Sequence, residues 1–254
     1  MVVAILQARM SSSRLPGKVL RPILGRPMLQ MQLERVRRAK WLQDVVVATS
    51  DQSSDDPLQE LCVTLGIRSF RGHLDDVLDR FYRAALTVPT EYVVRLTGDC
   101  PLADWAVIDR AIETCVSAGY DYVGNGLNPT YPDGLDVEVM RMSALTAAWQ
   151  EAKLPSEREH VTPFIYKNAQ RFRLFSLENE VDLSALRWTV DEEQDLRFVQ
   201  AVYGALYPSN PSFGMQDILE LLHQRPDIAA LSGKYRRNEG YEKSLVADRG
   251  SPKE

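Results

Sequence analysis

Short β-branched runs punctuate the first half of the chain: Val2 to Leu6, Val45 to Thr49, Ile67 to Phe70, Tyr92 to Leu96 and Tyr120 to Val123. Each reads as a strand. Most are followed by apolar residues at helical spacing, as in Met28 to Ala39. This βαβα order predicts an α/β fold with a mostly parallel central sheet and helices on both faces.

The rhythm breaks near residue 125. The stretch NGLNPTYPDGLDVEVM, residues 125–140, is rich in Asn, Pro and Gly before it becomes a strand. Ser156 to Glu159 has the S-x-x-E form of a capping box, predicting a helix toward Tyr166 that Pro163 kinks or ends. Strands near Phe172 to Ser176 and at Arg187 to Val190 then lead into a helix from Glu192 to Tyr207. One domain is expected over 1–244, in stretches of about 1–124, 125–185 and 186–244, followed by a flexible polar tail at 245–254.

A chain of 254 residues, 44% hydrophobic and 26% charged, suits one sizeable α/β domain. Its net charge of -5 and dispersed cations argue against a nucleic-acid partner. The one basic cluster, RVRRAK at 35–40, reads as the exposed face and last turn of a helix. The apolar start is far too short for a signal peptide, and no run approaches the roughly 18 apolar residues of a membrane span, so a cytoplasmic protein without a membrane partner is expected. Cys62, Cys100 and Cys115 lack CxxC spacing, which makes neither a disulfide framework nor a zinc site. Cys100 reads as a small packing residue.

The candidate chemistry gathers at strand ends, where open α/β sheets bind ligands. After the first strand comes a loop with Arg9, Arg14 and Lys18 among Ser11, Ser12 and Ser13, with Gly17 to bend the backbone. Small residues and three cations suit a triphosphate. The loop is not a P-loop, since the glycine spacing is missing and Val19 follows Lys18. Thr97-Gly98-Asp99-Cys100-Pro101 follows YVVRL, so Asp99 is either a Mg²⁺ ligand or a turn or cap residue for the helix near Trp105. Asp191, after Trp188-Thr189-Val190, is a second such ligand or a helix cap. Tyr131, Asp133, Asp136 and Glu138 cluster where carboxylates suit sugar hydroxyls or amines, and an acidic sugar would also want a cation such as Arg95, Arg158 or His160.

ARMSSSRLPGKVLRPILGRPMLQMQLERVRRA and VVVATSD resemble the start of the cytidylyltransferases that activate acidic sugars, such as 3-deoxy-manno-octulosonate cytidylyltransferase. DDVLDRFYRAA, VVRLTGDCPL, YPDGLDVEV, EREHVTPFIY, RWTVDEEQDL and NEGYEKS extend the likeness, to the subgroup named for spore-coat polysaccharide biosynthesis protein F, from Val3 to about Ser244. The resemblance implies the nucleotide-diphosphosugar transferase fold of the glycosyltransferase A type: a nucleotide-binding half, an acceptor and dimerisation lobe over 125–185, and a homodimer. It implies Mg²⁺-assisted transfer of CMP from CTP to a small-molecule sugar. By the same resemblance Arg9, Arg14 and Lys18 meet the triphosphate, Asp99 and Asp191 hold Mg²⁺, and Arg9, Lys18 and Asp99 are catalytic. Leu6, Ala8, Ser11, Arg80 and Gly98 complete the nucleotide site. Arg95, Tyr131, Asp136, Glu138 and His160 are the candidates for the sugar. GDCP and PDGLDVEV depart from the octulosonate enzymes, so a different 2-keto acid sugar, nonulosonate-like, is expected. Two rivals remain at this point: a glycosyltransferase, whose D-x-D signature is only loosely imitated by Asp136-Val137-Glu138, and a noncatalytic nucleotide-binding protein.

Overall fold

The computed structural model describes residues 1–233 together with 241, 244, 245 and 248; most of the tail at 245–254 lies outside the described residues. The strands are β1 (Val2–Gln7), β2 (Pro22–Ile23), β3 (Arg26–Pro27), β4 (Asp44–Ser50), β5 (Arg68–Gly72), β6 (Tyr92–Thr97), β7 (Tyr122–Gly124), β8 (Glu138–Arg141) and β9 (Leu174–Ser176). The α-helices are α1 (Met28–Val36), α2 (Asp56–Thr64), α3 (Val77–Leu86), α4 (Trp105–Ala118), α5 (Met142–Glu151), α6 (Pro155–His160), α7 (Pro163–Lys167), α8 (Glu193–Leu206), α9 (Met215–Gln224) and α10 (Pro226–Ala229). Seven strands form one sheet in the order β5-β4-β1-β6-β8-β7-β9, and β2 pairs with β3 as a small ribbon. Only β8 runs against its neighbours, so the sheet is mostly parallel, as the strand-helix alternation implies.

The sheet divides the core by the two-residue period of its strands. In β1, Val2, Ala4 and Leu6 face the layer of α1, α4, α8 and α9, whereas Val3 and Ile5 face α3, α5 and α7. β6 repeats this, with Tyr92, Val94 and Leu96 on the first face and Val93 on the second. By the same period Gln7 and Arg95 point to the second face, and Glu138 joins them, two residues before Met140 of that layer. Three polar side chains therefore share one face where apolar neighbours end.

Three local expectations change. Arg187 to Val190 is not a strand but an extended segment tied by a single bridge to Asp133, where Gly134, at φ 109°, lies too close to Trp188 and Thr189 to carry a side chain. The helix expected from Ser156 to Tyr166 is two short ones: Leu154 precedes α6, Glu157 accepts from the Lys153 and Leu154 amides just ahead of it, and Ser156 instead bonds Asp248. Val161 breaks the helix at φ 72° and ψ -55°, the centre of a γ-turn closed by the Thr162 N–H on the His160 carbonyl at 2.8 Å; such a positive φ is rare for a β-branched residue, which here is fully buried, and Pro163 then opens α7. Finally, the RVRRAK cluster is not wholly exposed. Arg35 is buried on α1, stacks over Phe213 and Trp105, and donates to the Ala103 carbonyl 2.8 Å away.

Candidate functional site

β1 and β6 lie side by side in parallel, so their carboxyl ends deliver the Ala8 to Lys18 loop and the Gly98 turn to the same edge. Gly98 makes the close approach possible: a Cβ there would lie 2.9 Å from Ala8 Cβ, and its N–H donates to the Gln7 carbonyl at 2.8 Å. The Asp99 carbonyl in turn accepts from the Val190 N–H at 2.8 Å and from Thr189 Oγ1 at 3.2 Å. Those bonds bring together two aspartates that stand 92 positions apart in the chain.

Lys18 closes the group. Its buried ammonium donates to Asp191 Oδ1 at 2.9 Å, Asp99 Oδ2 at 3.3 Å and the Val190 carbonyl at 2.8 Å, which uses all three of its N–H bonds. Burial works against its charge, but the two carboxylates outweigh it and hold the Lys18 pKa above its ordinary value. Asp99 shows the converse. Burial pushes its carboxyl up, while Lys18 and a hydrogen bond from Thr97 bring it down, to about 2. Asp191 also meets Arg187 Nη2 and Arg14 Nη2, each at 3.0 Å.

Both aspartates are released from the capping roles open to them. Asp104 caps α4, accepting from the Ala106 N–H at 2.8 Å. Asp195 serves α8, accepting from the amides of Asp191 and Glu192, and pairs with Arg187 at 3.0 Å. Burial opposes the Arg187 charge, yet Asp195 and then Asp191 raise its pKa. Sequence reasoning missed Arg187, although its place four residues before Asp191 was visible. It missed Asp55 as well. Fully buried, Asp55 accepts from the Met10 N–H at 2.8 Å, Thr49 Oγ1 at 2.8 Å and the Ser50 N–H and Oγ, which pins the start of the cationic loop to β4. Burial would raise the Asp55 pKa, and these donors lower it overall.

The group opens into a cleft of about 600 Å³. Ala8, Arg9, Arg14, Lys18, Arg80, Gly98, Asp99 and Asp191 line it, together with Arg95, Glu159, His160 and Ser244. Arg80 is buried, gives Nη1 to the carbonyls of His73 and Leu74, and has no ion pair among the described residues; its Nε is buried without a partner. Burial and the charge of Arg9 lower its pKa, the signature of a cation that an anion would relieve.

The remaining expectations divide. Ser12 and Ser13 line the cleft while Ser11 faces solvent, and Leu6 is fully buried in the core. Tyr131 is buried and does not line the cleft; its hydroxyl accepts from Arg110 at 3.0 Å, beside a separate pocket with Trp105 and Met215. Asp136 does not line the cleft either; its Oδ2 accepts from the Gly134 N–H at 3.1 Å. Glu138 accepts from Arg95, from Tyr122 Oη at 2.5 Å and from Thr162 Oγ1 at 2.6 Å. The loose D-x-D imitation is therefore internal structure. Arg158 is held by Asp76 and the Trp149 carbonyl outside the cleft lining. His160 bonds Ser244 Oγ at 2.9 Å, and burial followed by the charge of Arg95 lowers its pKa, favouring the neutral ring. The three cysteines are buried and unbonded to one another, Cys100 among them.

Among the described residues no three His, Cys, Asp or Glu side chains group as metal ligands. The donor set that does converge, one oxygen each from Asp99 and Asp191 on a single cationic position, fits a hard divalent ion that keeps waters and phosphate oxygens in its shell. Among those residues, too, no helix is long and apolar enough to cross a membrane.

Comparison with known proteins gives the same direction. Residues 3–203 match the family model described as cytidylyltransferase. The chain is 34% identical over 239 residues to the spore coat polysaccharide biosynthesis protein SpsF of Bacillus subtilis, covering 90% of this chain and 96% of that protein. It is 36% identical over 118 residues to 3-deoxy-manno-octulosonate cytidylyltransferase of Geobacter sulfurreducens, 44% of each chain. A solved cytidylyltransferase from Leptospira borgpetersenii superposes with a TM-score of 0.86 at 32% identity, covering 92% of this chain and 99% of that one.

Proposed function

Because the chain belongs to the cytidylyltransferase family, we propose that it transfers CMP from CTP to a 2-keto acid sugar of the nonulosonate kind, releasing pyrophosphate, for a surface polysaccharide or glycoconjugate. The observation that carries this reading is the junction of Lys18 with Asp99 and Asp191, which puts paired carboxylates beside a cationic loop. Arg9, Arg14 and Lys18 take the triphosphate, Lys18 exchanging its contacts with Asp99 and Asp191 for phosphate oxygens, with Ser12 and Ser13 as small neighbours and Arg80 as a buried cation facing the nucleotide. Asp99 and Asp191 hold Mg²⁺, which when bound offsets phosphate charge and orients the reacting groups.

The protein's own work is positioning and charge compensation. The acceptor hydroxyl oxygen forms a bond to the α-phosphorus, its proton passing to solvent, as the bond from that phosphorus to the α–β bridging oxygen breaks in line, and the departing pyrophosphate carries negative charge toward Arg9, Arg14 and Lys18. A homodimer through the 125–185 lobe belongs to the same reading; Leu127, Phe175 and Val181 are exposed apolar side chains there. The test is pyrophosphate release with the four nucleoside triphosphates crossed against N-acetylneuraminate, other nonulosonates and neutral aldoses. Turnover with CTP and a keto acid is expected. Turnover with neutral sugars alone would remove the acid-sugar part, and preference for another triphosphate would remove CTP.

A further inference from the structure

The lining of the cleft includes one guanidinium that the fold fixes in place without using it up. Arg95 donates Nε to Gln7 Oε1 at 3.2 Å and Nη1 to Glu138, its cross-strand partner in the β6–β8 register. Nη2 has no partner among the described residues, is not sealed from solvent, and belongs to a side chain that lines the cleft. Glu138 is itself held by Tyr122 and Thr162, so the plane of the guanidinium is set from behind.

The other cations considered for an acidic acceptor are committed elsewhere. Arg158 is occupied by Asp76, and His160 sits between Ser244 and Glu159 with its neutral form favoured. Burial works against the charge of Arg95, but Glu138 and, more weakly, Asp99 raise its pKa, so it stays cationic across the working range.

We propose that Arg95 is the specificity-determining residue for the acceptor, its Nη2 amino group binding the sugar carboxylate while Gln7 and Glu138 act as positioning residues. The proposal rests on the keto-acid reading above. In such a sugar the carboxylate and the attacking anomeric hydroxyl share one carbon, so an anchor for the first also places the second. Arg95 lies on β6 and Asp99 on the turn that directly follows it, which sets this anchor close in the chain to the proposed metal ligand. The matched Arg95–Glu138 pair also explains selectivity. A neutral aldose leaves Nη2 without its anion and gains nothing from the arrangement.

The test uses the full chain with CTP and whichever nonulosonate the wild type turns over best, and reads the Michaelis constants of the two substrates separately. Arg95→Gln should raise KM for the acid roughly 10- to 150-fold, the loss of a hydrogen bond to a charged group, and leave KM for CTP within about twofold. Arg95→Lys, which keeps the charge and the Glu138 contact, should fall between wild type and Arg95→Gln and serves if the glutamine variant does not fold. Glu138→Gln should raise the acid KM less than Arg95→Gln does, again without a CTP effect. An unchanged acid KM, or a rise in the CTP KM instead, would overturn the assignment while leaving keto-acid transfer standing. A wild type that accepts only neutral sugars would overturn the functional reading and the carboxylate anchor together.

Discussion

Around Asp99 and Asp191, Arg14 and Lys18 are paired with carboxylates while Arg9 and Arg80 have no ion pair among the described residues; around Arg95, each charge is met by a neighbour from the fold. Arg95 has Glu138, and Glu159 accepts from Ser244 Oγ. The first arrangement carries surplus positive charge that a polyanion would satisfy. The second is nearly balanced and offers a single open donor edge, so it discriminates among acceptors more than it attracts them. The same sheet supports both, because parallel β1 and β6 end together while antiparallel β8 returns a carboxylate to the neighbouring strand.

The largest effect expected is at the surplus end. Asp99→Asn or Lys18→Ala should raise the barrier by about 2.7–4 kcal/mol, measured as lost pyrophosphate release by folded protein with the wild-type circular dichroism spectrum. Near wild-type turnover in either variant would erase the contrast between the two ends. Next comes Asp55→Ala, which leaves the Met10 N–H and the Thr49 and Ser50 hydroxyls without their acceptor. A loss of about 2 kcal/mol in urea unfolding is expected, with a higher KM for CTP and no change for the acceptor. An acceptor effect of equal size would mean that the loop serves both ends.

Acid should weaken the surplus end through Asp99. Its pKa is depressed in the fold, so its contribution is complete above the unfolded value of about 3.9 and is lost as pH falls toward about 2. Thermal unfolding of the wild type should therefore decline across that window, and Asp99→Asn should show a shallower decline. Parallel slopes would show that Asp99 and Lys18 do not stabilise one another. The smallest effect is expected at Tyr131. Tyr131→Phe forfeits one hydrogen bond with Arg110, about 1 kcal/mol of stability, and should leave both Michaelis constants unchanged. A rise in acceptor KM would return Tyr131 to the site.

These differences follow what each residue's position depends on. The loop from Arg9 to Lys18 was legible because its cations and small residues are close in sequence, and Asp99 and Asp191 because each follows an extended segment. The role of Glu138 depends on a register that sets it opposite Arg95, 43 residues away, and local pattern does not specify such a pairing. Arg35 misleads in the same way: charge within an amphipathic helix reads as surface, yet Trp105 and Phe213 arrive from distant segments to cover it. The boundary between α6 and α7 was half visible. Pro163 marked a break, but the positive-φ turn at the buried Val161 ahead of it depends on its packing. That the sheet is mostly parallel was readable, whereas the direction of β8 was hidden, since the Asn, Pro and Gly of 125–137 mark a departure without giving the direction of return.

The account depends most on Asp99 and Asp191 working as one unit, and a double-mutant cycle on pyrophosphate release from CTP measures that directly. If both serve one cation and one triphosphate, Asp99→Asn and Asp191→Asn should each cost nearly as much as the double substitution. Additive losses, with the double variant falling by the product of the two single effects, would contradict a shared site.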